Sequence, residues 1–442
     1  MLLFWLTIRR QYAQIPIQIV LQDNVRADPD RTIGKPEMDD AFNPKPERSG
    51  ATRRSALGLI LGAPLMASCA SLPQFSGAPN PGLEQAPAPS GPPQQPSAVG
   101  SGQVKVALLL PLSASGNAGV AAQSMRNSAE LALAEFQNPN IQLLVKDDAG
   151  SAQGAQQGAQ QAIDEGAEII LGPLFGLSVP GTAGVARARG IPVIAFSTDS
   201  SVAGRGVYLL SFLPESDVNR IVDYSAGTGK RSFAALLPEN AYGNVVEVAF
   251  KQAAARKGGR VVAFEKYSND PAQMQSAARN VAQALPTADA LLLADDGDML
   301  VSVAQTLTAS GANLKRLQLL GTGLWDNPRV SADPNLQGGF YAAPDPSGFR
   351  GFANRYKAKF GAEPVRTATL AYDAVALVAA LARTQGAQRF SQEVLTNTSG
   401  FAGIDGLFRF RPDGTNERGL AVMKVAPGGA QPVVGSPKSF GA

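Results

Sequence analysis

The chain has 442 residues, a formal net charge of +3, a single cysteine and no histidine. These counts exclude histidine-based triads, disulfide frameworks and ordinary zinc sites. The 39 Lys and Arg residues are scattered rather than striped, so no nucleic-acid face is expected.

Near the start, Arg53 and Arg54 precede an apolar run from Ala56 to Ser68, and Cys69 follows. A positive segment, a short apolar core and small residues before a cut site describe an export signal. Leu65-Met66-Ala67-Ser68-Cys69 resembles the bacterial lipoprotein signal, which implies a lipid on the Cys69 thiol. Such signals occupy about 15–30 N-terminal residues, so Met38 is a candidate start besides Met1. Residues 1–69 are therefore read as a dispensable extension plus signal peptide. Residues 70–102 are rich in Pro, Gly, Ser and Gln without apolar periodicity. Such a segment buries too little surface to offset its ordering entropy. It reads as a disordered tether, reaching at most on the order of 100 Å if extended as polyproline II.

From Gln103 onward the chain is long enough for two lobes with separate cores. Val104–Leu110 is a nearly continuous apolar run, as expected of a buried parallel strand. Helical segments at 118–136, 152–165 and about 177–189 alternate with strands at 141–145, 168–171 and 191–196. The alternation restarts with strands at 232–237, 260–264, 289–293 and 317–320, separated by helices at about 242–257 and 271–284. Strands alternating with helices indicate βαβ units and parallel sheets. The fold class is therefore α/β, with two doubly wound parallel-sheet lobes joined by crossovers near 213–220 and 338–346. Lobe 1 takes 103–215 with 342–400, and lobe 2 takes 216–341 with 401–435. Helices at 351–360 and 367–383 return to the first lobe. Leu407–Arg411 alternates with period two, and the turn Pro412-Asp413-Gly414 predicts a hairpin with 421–425.

The segments VALLLPLSASG (106–116), IILGPLFGLSV (169–179), IPVIAFSTDSS (191–201), PENAYG (238–243) and GIDGLFRFRPDG (403–414), in this order and spacing, carry a family resemblance. The body 103–435 resembles the leucine/isoleucine/valine-binding-protein family of type I periplasmic binding proteins. The resemblance implies two lobes closing on a small polar, amino-acid-like ligand. It brings Ser113 and Ser115, Ser178, and Ser197, Thr198 and Ser200 to the cleft from lobe 1. From lobe 2 it brings Tyr242 and Asp295 or Asp296. Each hydroxyl also fits a plain role as a helix cap or turn former. The family places an acidic residue after the strand matching 317–320, where it pairs with the ligand ammonium. Here that position falls near Gly323, and Asp295 is the candidate replacement. Trp325 is placed to pack on a ligand or to anchor its lobe.

No catalytic constellation, cofactor motif or metal site is visible, so a non-catalytic binding protein is expected. Fold alone leaves two uses open. One is the receptor of ABC-type amino-acid transport, partnered by a permease. The other, which the chain also resembles, is the penicillin-binding-protein activator, an outer-membrane lipoprotein that contacts a peptidoglycan synthase. Both place the protein in the periplasm, tied by lipid to a bacterial membrane. Ala70 after the cysteine favours the outer one.

Overall fold

The computed structural model describes residues 97–440. Met38, Cys69 and the tether up to residue 96 lie outside the described residues.

The first sheet is built from β1 (Ala98–Val99), β2 (Val104–Leu110), β3 (Ile141–Asp147), β4 (Ile169–Leu171), β5 (Val193–Ala195) and β6 (Val207–Leu209). Their order is β1-β3-β2-β4-β5-β6, parallel except for β1. Helices α1 (Gly116–Glu135), α2 (Ala152–Asp164) and α3 (Val179–Ala188) connect the strands. The apolar strand runs are explained by burial on both faces. Leu108 and Leu110 join α1 in one core, while Ala107 and Leu109 join α2 and α3 in another. The small residues of α2 let it lie close to the sheet. A Cβ on Gly158 would stand 2.7 Å from a Leu109 methyl carbon.

Strand β1 corrects the tether expectation at its end. Ala98 and Val99 pair antiparallel with Leu144 and Leu143, and Ser97 accepts a bond from the Val145 N–H. The open edge of β3 offers unpaired backbone groups, and the passing chain satisfies them.

The second lobe begins with α4 (Pro214–Gly227) and continues through β7 (Ser232–Pro238), α5 (Ala241–Arg256), β8 (Arg260–Tyr267), α6 (Pro271–Ala284), β9 (Ala290–Leu293) and α7 (Gly297–Ala309). Next come β10 (Gln318–Gly321), α8 (Pro328–Ala332) and β11 (Phe340–Ala343). Helices α9 (Pro346–Phe360) and α10 (Ala368–Thr384) return to pack on α1. After α11 (Gln392–Leu395) come five short strands: β12 (Phe401–Gly403), β13 (Gly406–Phe410), β14 (Asn416–Arg418), β15 (Ala421–Lys424) and β16 (Gln431–Val434). The second sheet has the order β16-β15-β11-β10-β9-β7-β8, and β12-β13-β14 form a small antiparallel sheet. The second sheet, too, has a core on each face, one with α6 and α7 and the other with α4 and α5.

The chain passes between the sheets three times: between Leu209 and Pro214, between Ala343 and Pro346, and between Arg418 and Ala421. Two expectations for the C-terminal part are corrected. Strand β13 pairs with β12 and with β14, whereas β15 joins β11 and β16 in the second sheet. The tight turn at 412–414, with Gly414 at φ +87, returns the chain directly alongside β13, so 416–418 takes the place expected for 421–425. Residues 401–410 also belong with the first lobe rather than the second. Phe401, Phe408 and Phe410 are buried in the first-lobe core, and the Gly414 carbonyl accepts the Leu209 N–H.

Candidate functional site

The chain leaves each sheet at the C-terminal end of a parallel strand, β6 at Leu209 and β11 at Ala343, so these strand ends lie at the crossovers. The chain leaves β6 at its C-terminal end and enters α4 directly, and the first turn of α4 bonds to the loop after β10. In open α/β sheets, ligands bind at these strand ends.

The second lobe holds three hydrogen-bonded pairs on its strand-end loops. Tyr242, in the first turn of α5 after β7, shares a 2.7 Å hydrogen bond between its hydroxyl and that of Thr322, after β10. The Gly323 N–H donates to Asp217 Oδ2 at 2.9 Å. After β9, Asp295 accepts a bond from the Tyr267 hydroxyl at 2.5 Å. Burial and neighbouring charges shift the pKa values of these groups. Burial raises the Tyr242 phenol above its ordinary value, and the charges of Asp217 and Asp295 raise it further, against the Thr322 hydrogen bond. Burial raises Asp217 to about 7, although the Gly323 N–H and the Arg418 charge pull it down. Asp295 is raised by burial, opposed by its bond from Tyr267.

Asp217 is the residue that sequence reasoning missed. A Cβ built on Gly323 would lie 3.2 Å from Asp217 Oδ2, so this carboxylate occupies the room left by the missing side chain. The signal was present in Pro214-Glu215-Ser216-Asp217. Acidic residues after a proline mark a helix first turn, but nothing local places that turn against residue 323.

The first-lobe candidates gather at one sheet edge with more modest contacts. Ser113 and Ser115 follow β2 and are exposed. The Ser113 N–H donates to Asp147 Oδ1 at 3.2 Å. Ser115 occupies the α1 N-cap without a side-chain cap bond. Ser178, before α3, is fully buried with its hydroxyl unpartnered. Ser197 Oγ accepts the Asp199 N–H at 3.0 Å, a turn-forming role. Thr198 is exposed and Ser200 half-buried, the latter starting a short 3₁₀ turn capped by Asp199. A Cβ on Gly176 would lie 3.3 Å from Asp199 Oδ2. This edge therefore also carries a carboxylate.

Trp325 is an anchor and does not line the interlobe space. It is 1 % exposed, its indole N–H donates to the Leu293 carbonyl at 2.9 Å, and it belongs to the core with α6 and α7. Gly321 and Gly339 leave room for the ring, since a Cβ on either would stand within 2.7 Å of it. Two exposed leucines, Leu177 after β4 and Leu324 after β10, stand instead on the strand-end loops.

At the crossovers lies a charged cluster in which Asp373, Asp405 and Arg418 are buried and Arg366 is partly exposed. Arg366 holds Asp405 through both terminal nitrogens, at 2.9 and 2.6 Å. Arg418 donates from Nε to the Ser211 carbonyl at 2.8 Å, while Nη1 and Nη2 have no partner. The two guanidiniums each lie 4.7 Å from the ring centre of Phe212, and Arg366 also lies 4.8 Å from Phe349. Asp373 accepts the Ile404 N–H at 2.8 Å. Among the described residues, no group of three or more His, Cys, Asp or Glu is placed to hold a metal ion. Nor is any described helix long and apolar enough to cross a membrane.

This two-lobed fold, with polar groups at facing strand ends, defines a class of binding proteins. The sequence profile of the periplasmic binding protein family matches residues 103–430, and the chain belongs to that family. Solved structures of similar fold include a protein from Rhodospirillum rubrum assigned as a branched-chain amino acid ABC transporter. It shows 20% identity and a TM-score of 0.66, covering 75% of this chain and 99% of that one. A branched-chain amino acid ABC transporter periplasmic ligand-binding protein from Burkholderia xenovorans LB400 shows 19% identity and a TM-score of 0.61, covering 77% and 97%. A solute-binding protein of an ABC transporter from R. palustris, in complex with benzoate, shows 19% identity and a TM-score of 0.54, covering 77% and 98%. Among curated proteins, uncharacterized protein RP748 from Rickettsia prowazekii (strain Madrid E) is 26% identical over 114 residues, 26% of this chain. That match spans 30% of the relative's length.

Proposed function

We propose that the protein is a non-catalytic, lipid-anchored receptor of the bacterial periplasm. It binds a small amino-acid-like molecule between its lobes and delivers it to an ABC permease. The observation that carries this reading is the Asp217–Gly323 contact beside the Tyr242–Thr322 pair. In this reading Asp217, bonded to the Gly323 N–H, is the partner for a ligand ammonium that the leucine-binding resemblance expects near that glycine. A buried ammonium without such a partner is costly. Exposed Leu177 and Leu324 supply apolar walls for the rest of the ligand. Support for the receptor reading comes from the membership of the chain in the periplasmic binding protein family and from the ABC solute-binding structures that share its fold. Cys69 carries the anchor in this reading, and the following segment holds the body away from the membrane.

The test is a thermal-shift screen of the purified full chain against amino acids, amides, short peptides and aromatic acids. A ligand at a hundredfold excess over its Kd stabilises a protein by about 2.7 kcal/mol, a shift that is easily read. A hit lost in Asp217→Asn supports the assignment. If no small molecule shifts the melting temperature and a peptidoglycan synthase co-purifies instead, the uptake role fails and the penicillin-binding-protein activator role replaces it. Fatty-acid labelling that is equal in wild type and Cys69→Ala would remove the anchor.

A further inference from the structure

The C-terminal segment links the lobes a fourth time, beyond the three crossovers. Strand β16 is the outermost strand of the second sheet and pairs with β15 up to Val434, opposite Val422. Within six residues the chain has reached the β12-β13-β14 sheet, which is rooted in the first-lobe core. Ser436 lies beside Gly406, Pro437 against Gly419, and the Phe440 ring against Gly400. The Arg409 guanidinium lies 4.5 Å from the centre of that ring.

The receiving surface is shaped for the tail. A Cβ on Gly419 would stand 2.9 Å from Pro437 Cγ, and one on Gly400 would stand 2.8 Å from a Phe440 ring carbon. Gly400 is needed in any case for its left-handed backbone, at φ +73. Gly419 has no such requirement, so the proline packed against it accounts for the missing side chain. Gly419 lies within the third crossover itself, directly after Arg418. The tail therefore runs back beside that crossover, from the second lobe to the first.

We propose that residues 435–440 form a strap, a fourth hinge strand that restrains the angle between the lobes. Six residues span at most about 20 Å when fully extended. A lobe rotation that draws β16 away from β12 and β13 must therefore first straighten the segment and then unseat Phe440. Seating of this ring and the interlobe angle are one coupled equilibrium, and anything that favours the seated state favours the narrower range of angles. The strap acts whether or not a ligand is bound, so it stands independently of the receptor reading.

Hydrogen exchange and small-angle scattering on the full chain without added ligand test this. In Phe440→Ala, amide exchange should quicken about tenfold in peptides covering 210–214, 343–346 and 418–421, as expected for losing part of an aromatic side chain's burial. The radius of gyration should rise, while exchange in β2 and β7 stays as it was. Gly419→Ala, which pushes Pro437 away without altering the tail, should likewise quicken exchange at 210–214 and 343–346, the two crossovers it does not touch, and raise the radius of gyration. If neither variant changes exchange at the three crossovers, or if the change is confined to 400–410 or spread evenly through both lobes, the strap is overturned. The tail is then only a cover for the small sheet.

Discussion

The two lobes are built on the same plan, yet they offer the interlobe space different chemistry. In the first lobe, Ser113, Ser115 and Thr198 stand exposed on their loops, and Ser197 spends its hydroxyl on a local turn. In the second, Tyr242 bonds to Thr322, Asp217 to the Gly323 N–H and Asp295 to Tyr267, three pairs that each join separate elements. Three of the first-lobe hydroxyls are exposed, whereas the second-lobe groups are paired across elements. Preorganised groups lose little freedom on binding, and the proposed function makes use of the second lobe for that reason.

The comparison is tested most severely where a presumed ligand contact proves to be core. Trp325→Ala should cost about 3–5 kcal/mol in denaturant unfolding, as for other large-to-small core changes. A loss below about 1 kcal/mol would mean that the ring is not the anchor its burial indicates.

The next effect depends on pH. The chain has no histidine, and among the described residues burial raises Asp148 to about 6 and Asp217 and Asp373 to about 7. Burial, helped by the neighbouring Asp405 charge, raises Asp373 to about 7, against an ordinary value of 3.8; the Ile404 N–H and the charges of Arg418 and Arg366 act in the opposite direction. The folded state thus binds this proton more tightly than the unfolded state. The stability it contributes is complete below about 3.8 and is lost as pH rises through about 7. Within that window the slope is up to about 1.4 kcal/mol per pH unit. Other groups move the absolute curve, so the useful measurement is the difference between wild type and Asp373→Asn. The variant should lose less stability than wild type between pH 4 and pH 7.5. Parallel curves would show that the carboxyl is not buried as described.

The smallest effects separate the lobes directly. Tyr242→Phe removes one partner of the hydroxyl pair and should cost about 0.5–1.5 kcal/mol in stability. Ser113→Ala, at an exposed loop position, should stay within about 0.5 kcal/mol. Equal losses at the two positions, measured by urea unfolding, would erase the distinction between a tied edge and an open one.

Legibility in the sequence follows the range of the interactions. The helix expected at about 271–284 and the strand run at 104–110 were readable because alternation of elements and continuous apolar residues act within a few positions of one another. Strand β6 and helix α4 were not resolved as elements. Val207–Leu209 spans three residues, and α4 opens with a polar turn whose partner is 106 positions away. The hydroxyl-rich loops were found, but most of those hydroxyls prove to be exposed or locally used, as turn chemistry favours. Asp217 was passed over because its importance comes from Gly323 and not from its own neighbours.

Composition and pattern alone determined an α/β body with two sets of alternating strands and helices, because backbone propensity and burial are written residue by residue. Only tertiary structure decided that 401–410 belongs with the first lobe, that β15 leaves its nearest neighbour in sequence for the second sheet, and that the C-terminal tail returns across the crossovers. Those outcomes depend on which distant surfaces remain open once the cores are packed: three phenylalanines that need cover, the unpaired edge of β11, and glycines at 400 and 419 that leave room for an arriving chain. Such complementarity belongs to pairs of remote segments. It becomes visible only when the fold brings them together.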